Sequence, residues 1–169
     1  PVIFFGNEFF DAIPIKQFSR KGNSYYEKYY SLNNRDKIDE VFKKANSKDV
    51  KQIKKFGTIK NLKFIEFPKL GFDELDKITK KISQNTGGIL LIDYGYIKQI
   101  NRNTLQSVRK HKQNKLLDNL GDADITSLVN FGLLKEYFTK KKLKVKNIVT
   151  QRFFLERMGM KMYTNCMEE

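Results

Sequence analysis

The residues best equipped for chemistry stand near the start of the chain. Asn7, Glu8 and Asp11 follow the apolar run Val2-Ile3-Phe4-Phe5 and the Gly6 that ends it. An amide and two carboxylates so close together can orient a cation and accept a proton. A second set lies far along the sequence, where Asp93 and Tyr94 follow Ile89-Leu90-Leu91-Ile92. Ligands of an open α/β sheet gather beyond the carboxyl ends of its strands. If the two apolar runs are neighbouring strands, these groups converge on one rim and line a pocket for a cationic or hydrogen-bonding substrate. A plainer use stays open. Asn7 and Glu8 can instead cap a short helix from Glu8 to Ala12, and an Asp at a strand end is as often structural as functional.

The elements that must position these groups are legible in outline. Val2 to Phe5 reads as a strand buried on both faces. Pro14 to Ser19 reads as extended, and the Gly22-Asn23 turn leads into Tyr25 to Leu32, which predicts a hairpin. Between Asn33 and Phe56, Ile38, Val41, Phe42, Val50 and Ile53 recur at helical spacing, which predicts two short surface helices separated near Asn46-Ser47. Leu62 to Phe67 alternates as a strand until Pro68. Phe72, Leu75, Ile78 and Ile82 mark a helix that feeds the second apolar strand, the βαβ pattern of a parallel sheet. Further on we expect a short strand at Thr104–Val108 and a helix through Phe131, Leu134, Tyr137 and Phe138 closed by Lys140 to Lys142. Leu143 to Val149 alternates as another strand. Thr150 caps a last helix through Met158, which Gly159 ends.

At 169 residues, with 40% hydrophobic content, the chain is one folded domain with a real core. The single cysteine, Cys166, cannot close an internal disulfide, which fits a reducing compartment. No apolar run approaches the length of a membrane span, so no membrane association is expected. The chain opens on Pro1 with no charged leader before its first strand, from which we expect no signal peptide here and a segment lying upstream. The net charge of +14 invites a nucleic-acid reading. Against it, only six of the 33 basic residues are Arg and the lysines are spread rather than clustered, so a solvated lysine-rich surface is the better reading.

Several constellations are absent from the sequence. It holds no phosphate-loop pattern, no Cys/His metal spacing and no G-x-G-x-x-G fingerprint. The one histidine, His111, sits in a basic loop and does not suggest a Ser-His-acid relay. No metal site is expected.

Gly6 to Pro14 resembles the "A-N-E-F-F-D-A-L-P-V" block of the MidA-like S-adenosylmethionine-dependent methyltransferases. The resemblance continues in order through Gly88 to Tyr96, Thr104 to His111, Asp122 to Phe131, and Thr150 to Leu155 with Met158-Gly159. It implies an α/β fold: the C-terminal half of a class I, Rossmann-like methyltransferase sheet from strand 4 onward, with an inserted hairpin and short helices. The domain would cover residues 1–160, leaving 161–169 as a tail of unknown role. The family's sheet order is 3-2-1-4-5-7-6, and its glycine-rich S-adenosylmethionine loop and ribose-binding acid would lie upstream of Pro1. Leu128 and Asn130 depart from the family pattern "D-L-T-A-H-V-D-F", where His and Asp stand.

The mitochondrial members are protein-arginine methyltransferases that help assemble respiratory complex I. The implied activity is therefore methyl transfer from S-adenosylmethionine to protein arginine, in a bacterial cytoplasm or the mitochondrial matrix. Glu8 and Asp11 are the candidate catalytic residues, with Asn7, Asp93, Tyr94 and Gln151 lining the substrate or cofactor pocket. The implied partners are an arginine-bearing protein substrate and either the missing N-terminal half or a second copy. The fragment alone is expected to be inactive. Two other readings stand beside this one: a lysine-rich module binding nucleic acid or an acidic partner, and a non-catalytic assembly factor.

Overall fold

The computed structural model describes residues 1–35 and 37–160. The proposed tail at 161–169 lies outside the described residues. The chain begins with β1 (Val2–Asn7), β2 (Lys16–Lys21), β3 (Ser24–Leu32) and β4 (Ile38–Lys44), followed by α1 (Ser47–Lys54), β5 (Phe64–Phe67) and α2 (Lys69–Asn85). Next come β6 (Gly87–Ile92), β7 (Gly95–Tyr96), β8 (Gln106–Arg109), β9 (Lys112–Asn114), β10 (Asp124–Thr126) and β11 (Val129–Asn130). Two helices, α3 (Phe131–Lys140) and α4 (Gln151–Arg157), complete the described chain.

The two apolar runs pair as expected. β1 and β6 are parallel, with Val2 opposite Gly87 and Asn7 opposite Ile92. Parallel neighbours need a crossover, and α2 ends one residue before β6 begins. Its buried face is set by Phe72, Leu75, Thr79 and Ile82, three or four residues apart. The register is locked at Gly87, whose φ is +138° and where a Cβ would lie 1.8 Å from the Val2 carbonyl oxygen. No other residue type fits there.

The expected hairpin grows into a four-stranded sheet in the order β4-β3-β2-β5. Phe18, Tyr25, Ile65 and Phe67 of this sheet are buried. They join Phe56, Phe72 and Tyr137 in the core, where the Phe72 and Tyr137 rings stack at 4.6 Å. Asn46 caps α1 by accepting the Asp49 N–H, and Thr150 caps α4 by accepting that of Phe153.

Four expectations are corrected. β1 is not covered on both faces: Ile3 is 80% and Phe5 65% exposed, because α2 covers one side of the β1–β6 pair and no described element covers the other. The segment from Glu8 to Ala12 is a turn rather than a helix, since Glu8 takes a left-handed backbone, φ 48°, that a right-handed helix cannot contain. The first of the two surface helices is β4, an edge strand paired with β3, while the second is α1. Residues 143–149 form no strand, because no described strand lies beside them to pair with; Leu143 and Val145 pack against the core instead.

Candidate active site

β1 and β6 finish side by side, with Phe5 opposite Leu90 and Asn7 opposite Ile92. One further rung follows, in which the Glu8 N–H donates to the Ile92 carbonyl at 2.9 Å. The acids behind both strands therefore share one rim. Glu8 leaves β1 with φ of 48°, in the left-handed region that disfavours a side chain. That conformation turns the chain so that Phe10 is buried while Asn7 and Glu8 face solvent. Phe10 anchors the turn beneath α2, where its ring would lie 2.9 Å from a Cβ added at Gly71.

Asp93 closes the turn from β6. Its Oδ2 accepts the N–H groups of Phe10 at 2.8 Å and Asp11 at 3.2 Å, and its Oδ1 accepts that of Tyr94 at 2.8 Å. The Asp11 carbonyl in turn accepts the Ser127 N–H at 2.9 Å. Held from both sides, Asp11 keeps a buried carboxylate oxygen, Oδ1, with no hydrogen-bond partner. Burial is the largest influence raising the Asp11 pKa above the ordinary 3.8, with the Asp93 and Glu8 charges adding to it and main-chain N–H groups opposing it.

The structure thus brings together Asn7, Glu8, Asp11, Asp93 and Tyr94. Tyr94 is 64% exposed beside the rim, as is Phe9 at 48%. Gln151 does not join them: it opens α4, is exposed, and no hydrogen bond ties it to the rim among the described residues. Asn130, one of the departures from the expected pattern, caps α3 by accepting the Leu133 N–H at 2.9 Å, a task an Asp can also perform. Leu128, the other, lines a water-sized cavity with Phe10 and Tyr96. The Tyr96 phenol is pushed up to about 12, first by burial and then by the Glu66 carboxylate. Sequence reasoning missed Ser127 and Glu66, whose contacts reach across dozens of positions without local signal.

A buried, unpartnered carboxylate oxygen on a rim of acids suits a cation: a sulfonium, an ammonium or a guanidinium. A family model described as "Putative S-adenosyl-L-methionine-dependent methyltransferase" matches residues 1–149. The chain belongs to this family. Its methyltransferase relatives include the "Protein arginine methyltransferase NDUFAF7 homolog, mitochondrial" of Caenorhabditis elegans, 30% identical over 160 residues, covering 93% of this chain and 37% of the relative. The Danio rerio "Protein arginine methyltransferase NDUFAF7, mitochondrial" is 25% identical over 157 residues, with the same two coverages.

Among solved structures, a "likely methyl transferase from Burkholderia thailandensis bound to S-adenosyl-homocysteine" superposes with a TM-score of 0.63 at 17% identity, covering 82% of this chain and 37% of that one. A native structure of an uncharacterized protein from the same organism gives 0.61 at 18% identity, covering 82% and 38%. These likenesses establish the fold, a Rossmann-like α/β methyltransferase architecture. The chain spans little more than a third of the length of these relatives.

Proposed function

We propose that this chain carries the acceptor side of an S-adenosylmethionine-dependent methyltransferase that modifies arginine in a protein substrate. The observation that carries the reading is the shared rim of β1 and β6, where Glu8 and Asp11 stand free while Asp93 is engaged with main-chain N–H groups. The names of the relatives supply the arginine and the protein substrate.

The residues fit the cofactor at its cationic end, since the buried, unpartnered Asp11 Oδ1 and the exposed Glu8 offer acceptors to positive charge. Bound S-adenosylmethionine contributes an electrophilic methyl group on a sulfonium. The loop that grips the rest of it is proposed to lie upstream of Pro1, as the family resemblance implies. Arginine stays protonated in proteins and is a poor nucleophile. Glu8 and Asp11 orient the guanidinium by accepting its N–H groups, leaving one nitrogen free to react. Asp11, its pKa raised above the ordinary value chiefly by burial, takes the proton released as the new bond forms. Asn7 positions substrate or cofactor through its amide, and Tyr94 forms the neighbouring wall. Asp93 holds the turn.

The covered fraction of the relatives and the open side of β1 support a partner against that strand, either a further segment of the protein or a second copy. Mitochondrial relatives and the family resemblance support a mitochondrial matrix or bacterial cytoplasmic setting and a part in complex I assembly. No helix among the described residues is long and apolar enough to cross a membrane.

The test is methyl transfer by the intact protein to an arginine-bearing substrate. Glu8→Gln and Asp11→Asn are each expected to lower the rate by about a hundredfold or more with the fold retained. Wild-type rates in both variants would overturn the assignment.

A further inference from the structure

Thr104 is not part of the rim, yet its hydrogen bonds reach the segment that contacts the acidic turn. It is 8% exposed and precedes β8. Its hydroxyl donates to Glu66 Oε2 at 2.5 Å and accepts the Leu128 N–H at 3.1 Å. Its own N–H donates to Glu66 Oε1 at 2.9 Å, an oxygen that also accepts the Gln17 side-chain amide at 2.9 Å. Glu66 lies on β5 and Gln17 on β2, so one end of this relay is built into the four-stranded sheet.

The other end reaches the acids. Leu128 follows Ser127, which is 5% exposed and whose N–H is the donor to the Asp11 carbonyl. Adjacent N–H groups of one short segment therefore point to two receivers, Thr104 and Asp11. The two peptide planes meet at the Ser127 Cα, so anchoring the first narrows the positions open to the second, which only the Ser127 φ and ψ separate. We infer that Thr104, clamped by Glu66, is a positioning residue for Asp11, setting the peptide segment that pins the acidic turn from the side opposite Asp93.

The inference rests on the reading of Asp11 as the working acid. The requirement is specific to a hydroxyl, since one atom must donate and accept at once. A valine at this position has the right shape and neither capacity. It would leave the Leu128 N–H without a receiver and the segment free to shift. A serine keeps both bonds. Glu66→Gln acts differently: an amide nitrogen facing the Thr104 oxygen turns that contact around, takes the acceptor away from the hydroxyl proton and reorients the oxygen that receives the Leu128 N–H.

The experiment measures two quantities in the intact protein carrying Thr104→Val, Thr104→Ser or no change. They are hydrogen exchange at the Ser127 amide and the titration of the Asp11 carboxyl, followed by NMR with carbon-13-labelled Asp. Thr104→Val is expected to speed Ser127 exchange by about tenfold or more, through local opening, while exchange at Phe18 in the sheet stays as in the wild type. The Asp11 midpoint is expected to fall as the carboxyl gains solvent, with Glu8 and Asp93 the charged groups facing it. Thr104→Ser is expected to match the wild type in both. Unchanged Asp11 titration in Thr104→Val, or exchange that rises uniformly through the fold, overturns the inference. Should Thr104→Val fail to fold, Glu66→Gln is the second variant, expected to move both quantities in the same direction; no movement overturns the inference equally. Neither readout needs turnover. A titration that moves in a protein without methyl transfer upholds the positioning role and removes the reading of the site.

Discussion

Asp93 and Asp11 are 82 residues apart in sequence, and the carboxylate of the first accepts the main-chain N–H of the second at 3.2 Å. The contact divides labour between two acids on one rim. Asp93 has its oxygens occupied by three N–H groups, whereas Asp11 retains an oxygen with nothing to accept. The acid at the end of β6 shapes the turn, and the acid in the turn keeps a buried oxygen without a partner.

Asp93 is therefore predicted to matter for stability as much as for activity. Asp93→Ala orphans the N–H groups of Phe10, Asp11 and Tyr94 and should cost roughly 1–3 kcal/mol, read by urea denaturation. Asp93→Asn, which keeps one accepting oxygen, should cost less. Equal stability of Asp93→Ala and wild type would show that these contacts are not made.

Asp11 should behave in the opposite sense. Its folded pKa is raised, so the folded state holds the proton more tightly than the unfolded chain. Stability from this group is full below the unfolded value near 3.8 and declines as pH rises through the folded pKa. Asp11→Asn is predicted to be more stable than wild type at pH 7, with the difference vanishing in acid, while methyl transfer is lost. A variant less stable than wild type at pH 7 would contradict this environment for Asp11.

Glu8 holds a left-handed backbone that a glycine adopts freely. Glu8→Gly should raise stability by about 1 kcal/mol, seen as a higher melting temperature, and should depress methyl transfer together with it. A drop in melting temperature would place Glu8 in some other conformation.

Gly87 is predicted to be the least replaceable residue of the parallel pair. Gly87→Ala would press its Cβ onto the Val2 carbonyl and impose a strained φ. The expected loss is about 3 kcal/mol or more by denaturation, with β1 detached from β6.

The open side of β1 leads to a prediction about association. Ile3 and Phe5 are exposed apolar side chains on a strand that pairs only with β6 among the described residues. Such a face and edge invite contact with another chain. This 169-residue chain should sediment as a concentration-dependent assembly, and Ile3→Lys with Phe5→Lys should shift it toward monomer.

The parts of the fold legible in sequence are those with a strong local period or an uninterrupted apolar run. Phe72, Leu75 and Ile82 disclosed α2, and the two runs ending at Phe5 and Ile92 disclosed the parallel pair that builds the rim. Ile38 and Phe42 misled because a spacing of four residues satisfies a helix turn and a strand face equally. Pairing with β3 decided the matter, and pairing is a property of the partner. The alternation from Leu143 to Val149 failed for the complementary reason, having no described partner. The apolar run of β1 announced a strand covered twice, and Ile3 and Phe5 keep the signature of a cover that the described residues do not supply. On the rim, the meeting of Glu8, Asp11 and Asp93 was legible because each follows an apolar run. Thr104, Glu66 and Ser127 were not, since the bond from Thr104 to Glu66 spans 38 positions and that from Ser127 to Asp11 spans 116 (from 11 to 127), and neither leaves a mark on neighbouring residues.

The most direct test is a structure of the intact protein with S-adenosyl-homocysteine and an arginine-bearing substrate peptide. We predict the substrate guanidinium within hydrogen-bond distance of Glu8 or Asp11, at the common end of β1 and β6. A guanidinium seated elsewhere, with both carboxylates facing only water, would contradict the assignment of this rim.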